Sequence, residues 1–311
     1  MKFAMVFPGQ GSQSVGMLAD YGEIAAIRET LAEASDVLKQ DVANLIAEGP
    51  VDQLNSTVNT QPIMVVAGIC AWRAWRELGG AEPELLAGHS LGEYSALVAA
   101  DAISFADCLP LVRLRGQAMQ EAVPQGKGAM AAILGLDDEA VGTACVEGAQ
   151  GEVCEAVNFN SPGQVVIAGH AEAVKRAMEA AKALGAKRAV LLPVSAPFHS
   201  SLMAPAAARL GEALAGVKIN TPRIAVVQNF DAQIHMDAED IKKALVKQAD
   251  HAVRWVDCIK AMAARGVRHV FECGPGRVLA PLVKRIAGEM QGAALADRAG
   301  IEQGVQVSRE E

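Results

Sequence analysis

The run Leu85-Leu86-Ala87-Gly88-His89-Ser90-Leu91-Gly92-Glu93-Tyr94 constrains this chain more than any other stretch. Three apolar residues lead into G-x-S-x-G, and helix-compatible residues lead out. That context fits a sharp strand-to-helix turn that holds a serine hydroxyl clear of its surroundings. Gly88 and Gly92 suit the crowding of such a turn, because neither carries a Cβ. The plainer alternative is an ordinary helix start with Ser90 as a cap. Either way, a buried strand must pass directly into a helix here.

The rest of the chain repeats that alternation. Lys2 to Phe7 reads as a strand, closed by the glycine- and glutamine-rich turn Pro8-Gly9-Gln10-Gly11-Ser12-Gln13. Helical spacing covers Ile24 to Leu38 and about Gln61 to Leu78, with Pro62 expected in the first turn of the second helix. After the Ser90 turn a helix runs to about Ala100. Ser104 and Asp107 have capping-box spacing ahead of a helix that reaches roughly Val123 and contains Pro110. From about Gln125 to Leu192 the order becomes βαββαβ, a ferredoxin-like pattern. Beyond it, strands at Ile224–Val227 and Arg268–Phe271 alternate with helices near Arg209–Leu214, Asp237–Gln248, Val253–Arg265 and Val278–Ile286. The end, from Gln291, shows no clear period and is expected to be mobile. The expected fold is α/β: a large α/β-hydrolase-like domain with a mainly parallel sheet over 1–124 and 193–311, and an inserted small ferredoxin-like domain over 125–192.

Composition narrows the function classes. The 311 residues suit one large domain or two unequal ones, and 51% are hydrophobic. A net charge of -8 supplies no basic field for nucleic acid. The six cysteines form no C-x-x-C and mostly sit among apolar residues, as reduced thiols of a cytosolic protein would. Lys2 and five apolar residues do not make a signal peptide, and the longest apolar stretch, Ile63 to Trp72, is too short to span a bilayer. A cytoplasmic chain without membrane or nucleic-acid partners is expected.

A serine hydroxyl needs a base to become a nucleophile. Of six histidines, His199 is the best placed, in the loop Val194-Ser195-Ala196-Pro197-Phe198-His199-Ser200 after a strand. His89, inside the turn, reads as structural. No acid stands out to orient His199; Asp231, Asp237 and Asp250 remain open. Arg115 lies on an apolar helix beside Leu111, Ala118 and Met119, where an unpaired cation is costly. It is either half of a structural salt bridge or a planar fork for a substrate carboxylate. Gly274-Pro275-Gly276 reads as a structural turn. There is no Walker A, no G-x-G-x-x-G and no metal-ligand cluster.

Taken together, the loop 7–13, Gly88 to Tyr94, Arg113 to Gln117, Asn158 to Gln164, Ala196 to Ser200 and Glu272 to Gly276 resemble the malonyl-CoA:acyl carrier protein transacylases, from Phe3 to about Ala287. The resemblance implies a ping-pong exchange of thioesters that needs no metal or redox cofactor. Malonyl-CoA would acylate Ser90, His199 would be its base, and the phosphopantetheine thiol of acyl carrier protein would collect the malonyl group. It further implies an oxyanion hole from the backbone N–H groups of Gln10 and Leu91, a carboxylate partner in Arg115, and the main-chain carbonyl of Gln248 in place of the triad acid. Phe198 before His199 is similar to the malonyl-type pattern, Met119 and Asn160 would face the substrate, and Arg188 would meet CoA phosphates. The family's discrete enzymes imply a monomer serving fatty-acid or polyketide synthesis. Docking an acidic carrier would fall to Lys187, Arg188, Arg277, Lys284 and Arg285, with Arg73 and Arg76 behind them. Two other readings stay open at this stage: a thioesterase or esterase, which the Ser90 turn alone permits, and a non-catalytic docking subunit. Acceptor choice separates the first from a transferase, and the intact Ser90, His199 and Arg115 set speaks against the second.

Overall fold

The computed structural model describes residues 2–194 and 196–309. Ser195, in the loop before His199, lies outside them. The first strand, β1 (Phe3–Phe7), is buried along its whole length, as an apolar run covered on both faces must be. Helices α1 (Ala25–Leu38), α2 (Val42–Glu48), α3 (Val51–Asn55) and α4 (Thr57–Glu77) follow. Sequence periodicity misses α2 and α3 because they are too short to show a period. It also starts α4 four residues late. Pro62 therefore sits inside the helix, beyond its first turn. Next come β2 (Leu85–Gly88), α5 (Gly92–Ala99) and α6 (Phe105–Glu121). Ser104 caps α6 as its spacing predicts, its Oγ accepting from the Asp107 N–H at 3.0 Å.

The chain then forms β3 (Gly128–Leu134), α7 (Asp138–Ala149), β4 (Cys154–Ser161), β5 (Gln164–His170), α8 (Ala171–Ala183) and β6 (Arg188–Leu191). These four strands make a separate antiparallel sheet in the order β4-β5-β3-β6. Ala131, Ile133, Val165 and Ile167 face α7 and α8. Met130, Val157, Val166 and Ala168 face the other way and join the main core. The strands thus alternate between two apolar surroundings, with a period of two.

The chain returns through α9 (Ala204–Ala215), β7 (Ala225–Val227), α10 (Ala238–Asp250), α11 (Trp255–Ala264), β8 (His269–Glu272) and α12 (Ala280–Ile286). The ending expected to be mobile is ordered structure: β9 (Gln291–Ala294) and α13 (Arg298–Ser308). β9 adds to β8 as a parallel edge strand, and Asp297 caps α13 by accepting from the Gly300 N–H at 2.7 Å. Its strand is Gln-Gly-Ala-Ala and its helix buries only Ile301 and Val305 among large apolar residues, so hydrophobic pattern gives no signal.

The main sheet is parallel throughout, in the order β7-β2-β1-β8-β9. On one face Phe3, Met5, Phe7, Leu86 and Phe271 pack under α4, and Trp75 of α4 sits 5.9 and 5.4 Å from the rings of Phe3 and Phe271. On the other, Ala4, Val6, Ala87 and Val270 meet Trp255 and Ile259 of α11 and Leu282 of α12. The molecule is mixed α/β, with a parallel sheet and a separate antiparallel one. No described helix is long and apolar enough to cross a membrane.

Candidate active site

The turn from β2 into α5 confers an unusual backbone on Ser90. Its φ is 52°, a left-handed conformation that costs a non-glycine residue strain. The glycines on either side are required by space. A Cβ on Gly88 would fall 1.9 Å from backbone atoms of Gly92, and one on Gly92 would fall 2.1 Å from the Phe7 carbonyl oxygen. The loop after β1 presses on the same turn, for a Cβ on Gly9 would lie 2.6 Å from the His89 carbonyl oxygen. The Ser90 N–H donates to Asn229 Oδ1 at 2.7 Å, while Asn229 Nδ2 donates to the Gly88 carbonyl at 2.8 Å. Asn229, just past β7, thus braces both sides of the serine. No sequence motif singled it out.

His199 lies 109 residues on, yet its Nε2 is 2.6 Å from Ser90 Oγ. Its Nδ1 is 2.7 Å from the main-chain carbonyl of Gln248 on α10. A carbonyl can only accept, so Nδ1 carries the proton and Nε2 offers its lone pair to the serine hydroxyl. Burial, and then the charge of Arg115, push the imidazole down to about 3, so it is neutral at physiological pH. The three acids left open by the sequence are engaged elsewhere. Asp231 bonds His235, Asp250 bonds His251, and Asp237 caps α10.

Arg115, near the middle of α6, is 2% exposed. Its Nη1 donates to Gln61 Oε1 and its Nη2 to Gln248 Oε1, both at 2.9 Å. Nη2 also points at Ser90 Oγ, 3.4 Å away. The guanidinium lies 5.4 Å from the centre of the Tyr94 ring, and its Nε has no partner. The salt-bridge reading fails, since its hydrogen bonds go to neutral amides and among the described residues it forms no ion pair. Pro110, in the same helix, does not keep Arg115 from reaching the serine. Gln61, buried one residue before Pro62 and just ahead of the apolar run of α4, carried no motif in the sequence; its burial is what marks it as held by a polar partner.

Gln248 contributes more than a carbonyl. Its Nε2 donates to the Ser90 carbonyl at 2.8 Å and to Glu93 Oε2 at 3.1 Å. Glu93, three residues after the serine, is buried, and burial raises its carboxyl to about 7.

These groups surround a cavity of about 230 Å³ between the main sheet and the antiparallel one. Gln10, Leu91, Met119, Phe198 and Asn160 line it, as does Ser90. Met130 and Val166 of the antiparallel sheet complete the wall. His89 lines it too, its Nε2 2.7 Å from Asn160 Oδ1 and its ring edge-on to Trp255. Arg188 is not part of this wall; it opens β6 as an exposed residue. Arg285 donates to Gln164 at the cavity at 3.0 Å, whereas Arg73 and Arg76 pair with Glu33 and Glu82. Among the described residues no group of three or more His, Cys, Asp or Glu could hold a metal ion. Chemically the arrangement offers a nucleophile, a neutral base and a buried cation within reach of one another.

A family model for the acyl transferase domain matches residues 4–303. The malonyl CoA-acyl carrier protein transacylase of Escherichia coli O157:H7 is 53% identical over 295 residues, covering 94% of this chain and 96% of its own. The acyl-carrier-protein S-malonyltransferase of Burkholderia pseudomallei superposes with a TM-score of 0.97 at 58% identity, over 98% of this chain and 100% of its own. A malonyl-transacylase solved in complex with a type II PKS acyl-carrier protein gives 0.97 at 51% identity, over 99% of this chain and 100% of its own. With the family model spanning nearly the whole chain and such relatives matched over almost their full length, this chain belongs to the acyl transferase family, among the malonyl CoA-acyl carrier protein transacylases.

Proposed function

We propose that this acyltransferase moves the malonyl group from malonyl-CoA to the phosphopantetheine thiol of acyl carrier protein through a malonyl-Ser90 intermediate. The observation that carries the reading is Arg115, a buried guanidinium held by neutral amides and aimed at the serine hydroxyl. A buried charge without a counter-ion is expensive, and a carboxylate on the acyl group removes that expense.

In the first half-reaction His199 Nε2 takes the Ser90 proton as Oγ attacks the thioester carbonyl, while the Gln248 carbonyl holds the imidazole by its Nδ1–H. The resulting oxyanion is received by the backbone N–H groups of Gln10 and Leu91; the tight approach of Gly9 to the turn supports this assignment. The C–S bond breaks, and the CoA sulfur leaves with the proton from His199. In the second half the carrier thiol gives its proton to His199 and attacks the ester. The C–O bond then breaks and Ser90 recovers its proton. Phe198 and Met119 bound the acyl pocket, with Asn160 on its wall. No cofactor takes part, since every bond change is a proton and acyl transfer.

The finer architecture belongs to the same reading. We take 1–124 and 193–311 as an α/β-hydrolase-like catalytic domain, supported by the strand-to-helix serine turn, and 125–192 as a ferredoxin-like domain, supported by its strand order. One chain carries all the residues used, which supports a monomer. The six free, buried cysteines support the cytoplasm. Arg188, Lys187, Arg277, Lys284 and Arg285 are assigned to CoA phosphates and the acidic carrier. Supply to fatty-acid synthesis, or to polyketide synthesis, follows from the same transfer.

The test is acceptor choice. With radiolabelled malonyl-CoA, label is expected on holo acyl carrier protein, with little free malonate. Free malonate released at one rate with or without holo carrier would make this chain a hydrolase and defeat the proposal.

A further inference from the structure

The transfer chemistry uses Ser90, His199 and Arg115, but leaves a buried carboxyl beside them unexplained. Glu93 is 0% exposed and sits on α5 directly after the serine turn. Its Oε2 accepts from the Asn229 N–H at 2.8 Å and from Gln248 Nε2 at 3.1 Å, while its Oε1 has no partner. Burying a carboxyl with one oxygen unsatisfied is costly. A purely structural site would be served better by an apolar residue of similar size.

What the carboxyl does follows from its partners. An amide side chain has two ends, a donor and an acceptor, of nearly the same shape. At Gln248 the donor end faces Glu93 Oε2 and the Ser90 carbonyl, both of which only accept. The acceptor end must then face Arg115 Nη2, as it does at 2.9 Å. Turned over, the amide would present N–H to the guanidinium, two donors with nothing between them. With Glu93 in place, the turned amide would also lose its bond to the carboxylate.

We propose that Glu93 is a positioning residue for acyl selectivity: it fixes the orientation of the Gln248 amide, and the amide fixes the Arg115 fork toward the acyl group. The chain of contacts is Glu93 Oε2, Gln248 Nε2, Gln248 Oε1 and Arg115 Nη2. Asn229 ties the same carboxyl to the Ser90 backbone, so the nucleophile and the fork share one anchor. The proposal rests on the reading that Arg115 receives the malonyl carboxylate.

The test compares kcat/KM for acylation by malonyl-CoA and by acetyl-CoA in wild type, Glu93→Ala, Glu93→Gln and Arg115→Ala. Glu93→Ala is expected to lower the malonyl-to-acetyl ratio by about tenfold or more, because the fork loses its register while the Ser90–His199 pair remains. Glu93→Gln keeps an acceptor oxygen for Gln248 and Asn229 and should bring the ratio back to within about threefold of wild type. A Glu93→Ala that lowers both substrates by one factor, or a Glu93→Gln with no rescue, overturns the proposal. If Glu93→Ala does not fold, Gln248→Leu breaks the same link from the other end with its carbonyl intact, and a preserved ratio there overturns it equally. Arg115→Ala separates the two layers. An unchanged ratio in that variant defeats the reading of Arg115 itself. A collapsed ratio there, with no change in Glu93→Ala, defeats only the role of Glu93.

Discussion

Replacing Arg115 with alanine is the most informative single perturbation. In the free protein the guanidinium makes two hydrogen bonds to amides, at 2.9 Å each, and a weak approach of 3.4 Å to Ser90 Oγ. None of these is an ion pair, and what truncation removes from the resting site, the donors to two buried amide oxygens, is lost alike for malonyl and acetyl substrates. In the proposed malonyl-Ser90 intermediate, the same guanidinium is half of a buried, charge-assisted pair. Truncating one partner of such a pair costs about 2–5 kcal/mol, and each 1.4 kcal/mol is a factor of ten. Malonyl acylation should therefore fall by roughly 30-fold to several thousandfold. Acetyl carries no carboxylate, and its acylation should stay within about threefold of wild type. The assay is rapid-quench measurement of acyl-enzyme formed from each CoA ester under single-turnover conditions. Arg115→Lys should fall between the two, because an ammonium supplies charge without the planar fork. Equal losses for malonyl and acetyl would make Arg115 a structural residue and not a carboxylate partner.

The remaining predictions concern the base, the turn and its brace. Since burial and Arg115 hold His199 down to about 3, its unprotonated form persists below the ordinary histidine value. Acetyl kcat/KM in wild type should stay flat as pH falls through 6.5, and the acid limb should move to higher pH in Arg115→Ala; a limb that moves lower contradicts this sign. Asn229→Ala removes the acceptor for the Ser90 N–H, so malonyl and acetyl acylation should drop together, by about 1–3 kcal/mol in activation free energy, and a change in their ratio would count against a role confined to the serine. Gly92→Ala forces a Cβ to within 2.1 Å of the Phe7 carbonyl oxygen, a backbone clash that should cost about 3 kcal/mol and lower Tm, and an unaltered Tm would mean that the turn can relax.

What the sequence revealed follows from how local each feature is. The strand before Ser90, the cap at Ser104 and the βαββαβ order over 125–192 rest on neighbours in sequence, and each is present near its expected position. His199 was legible as a loop residue after a strand, but its 2.6 Å contact with Ser90 spans 109 residues and no local rule contains it. The Gln248 carbonyl entered only through resemblance, because a backbone acceptor leaves no residue-type signature. Gln61, Asn229 and Glu93 were missed for a related reason. Polar side chains that serve other side chains show no periodicity, and only the tertiary fold displays what they hold. The C-terminal strand and helix failed differently: small and polar residues gave them no apolar stripe, yet docking beside β8 and Trp75 orders them.

In the proposed reaction Ser90 carries a malonyl group between two thiols. Intact-mass spectrometry after brief incubation with malonyl-CoA reads that intermediate. One malonyl adduct per chain is expected on the wild type, mapped by peptide digestion to Ser90, absent from Ser90→Ala and discharged on adding holo acyl carrier protein. No adduct on the wild type, an adduct that survives in Ser90→Ala, or one that the carrier thiol does not discharge would contradict it.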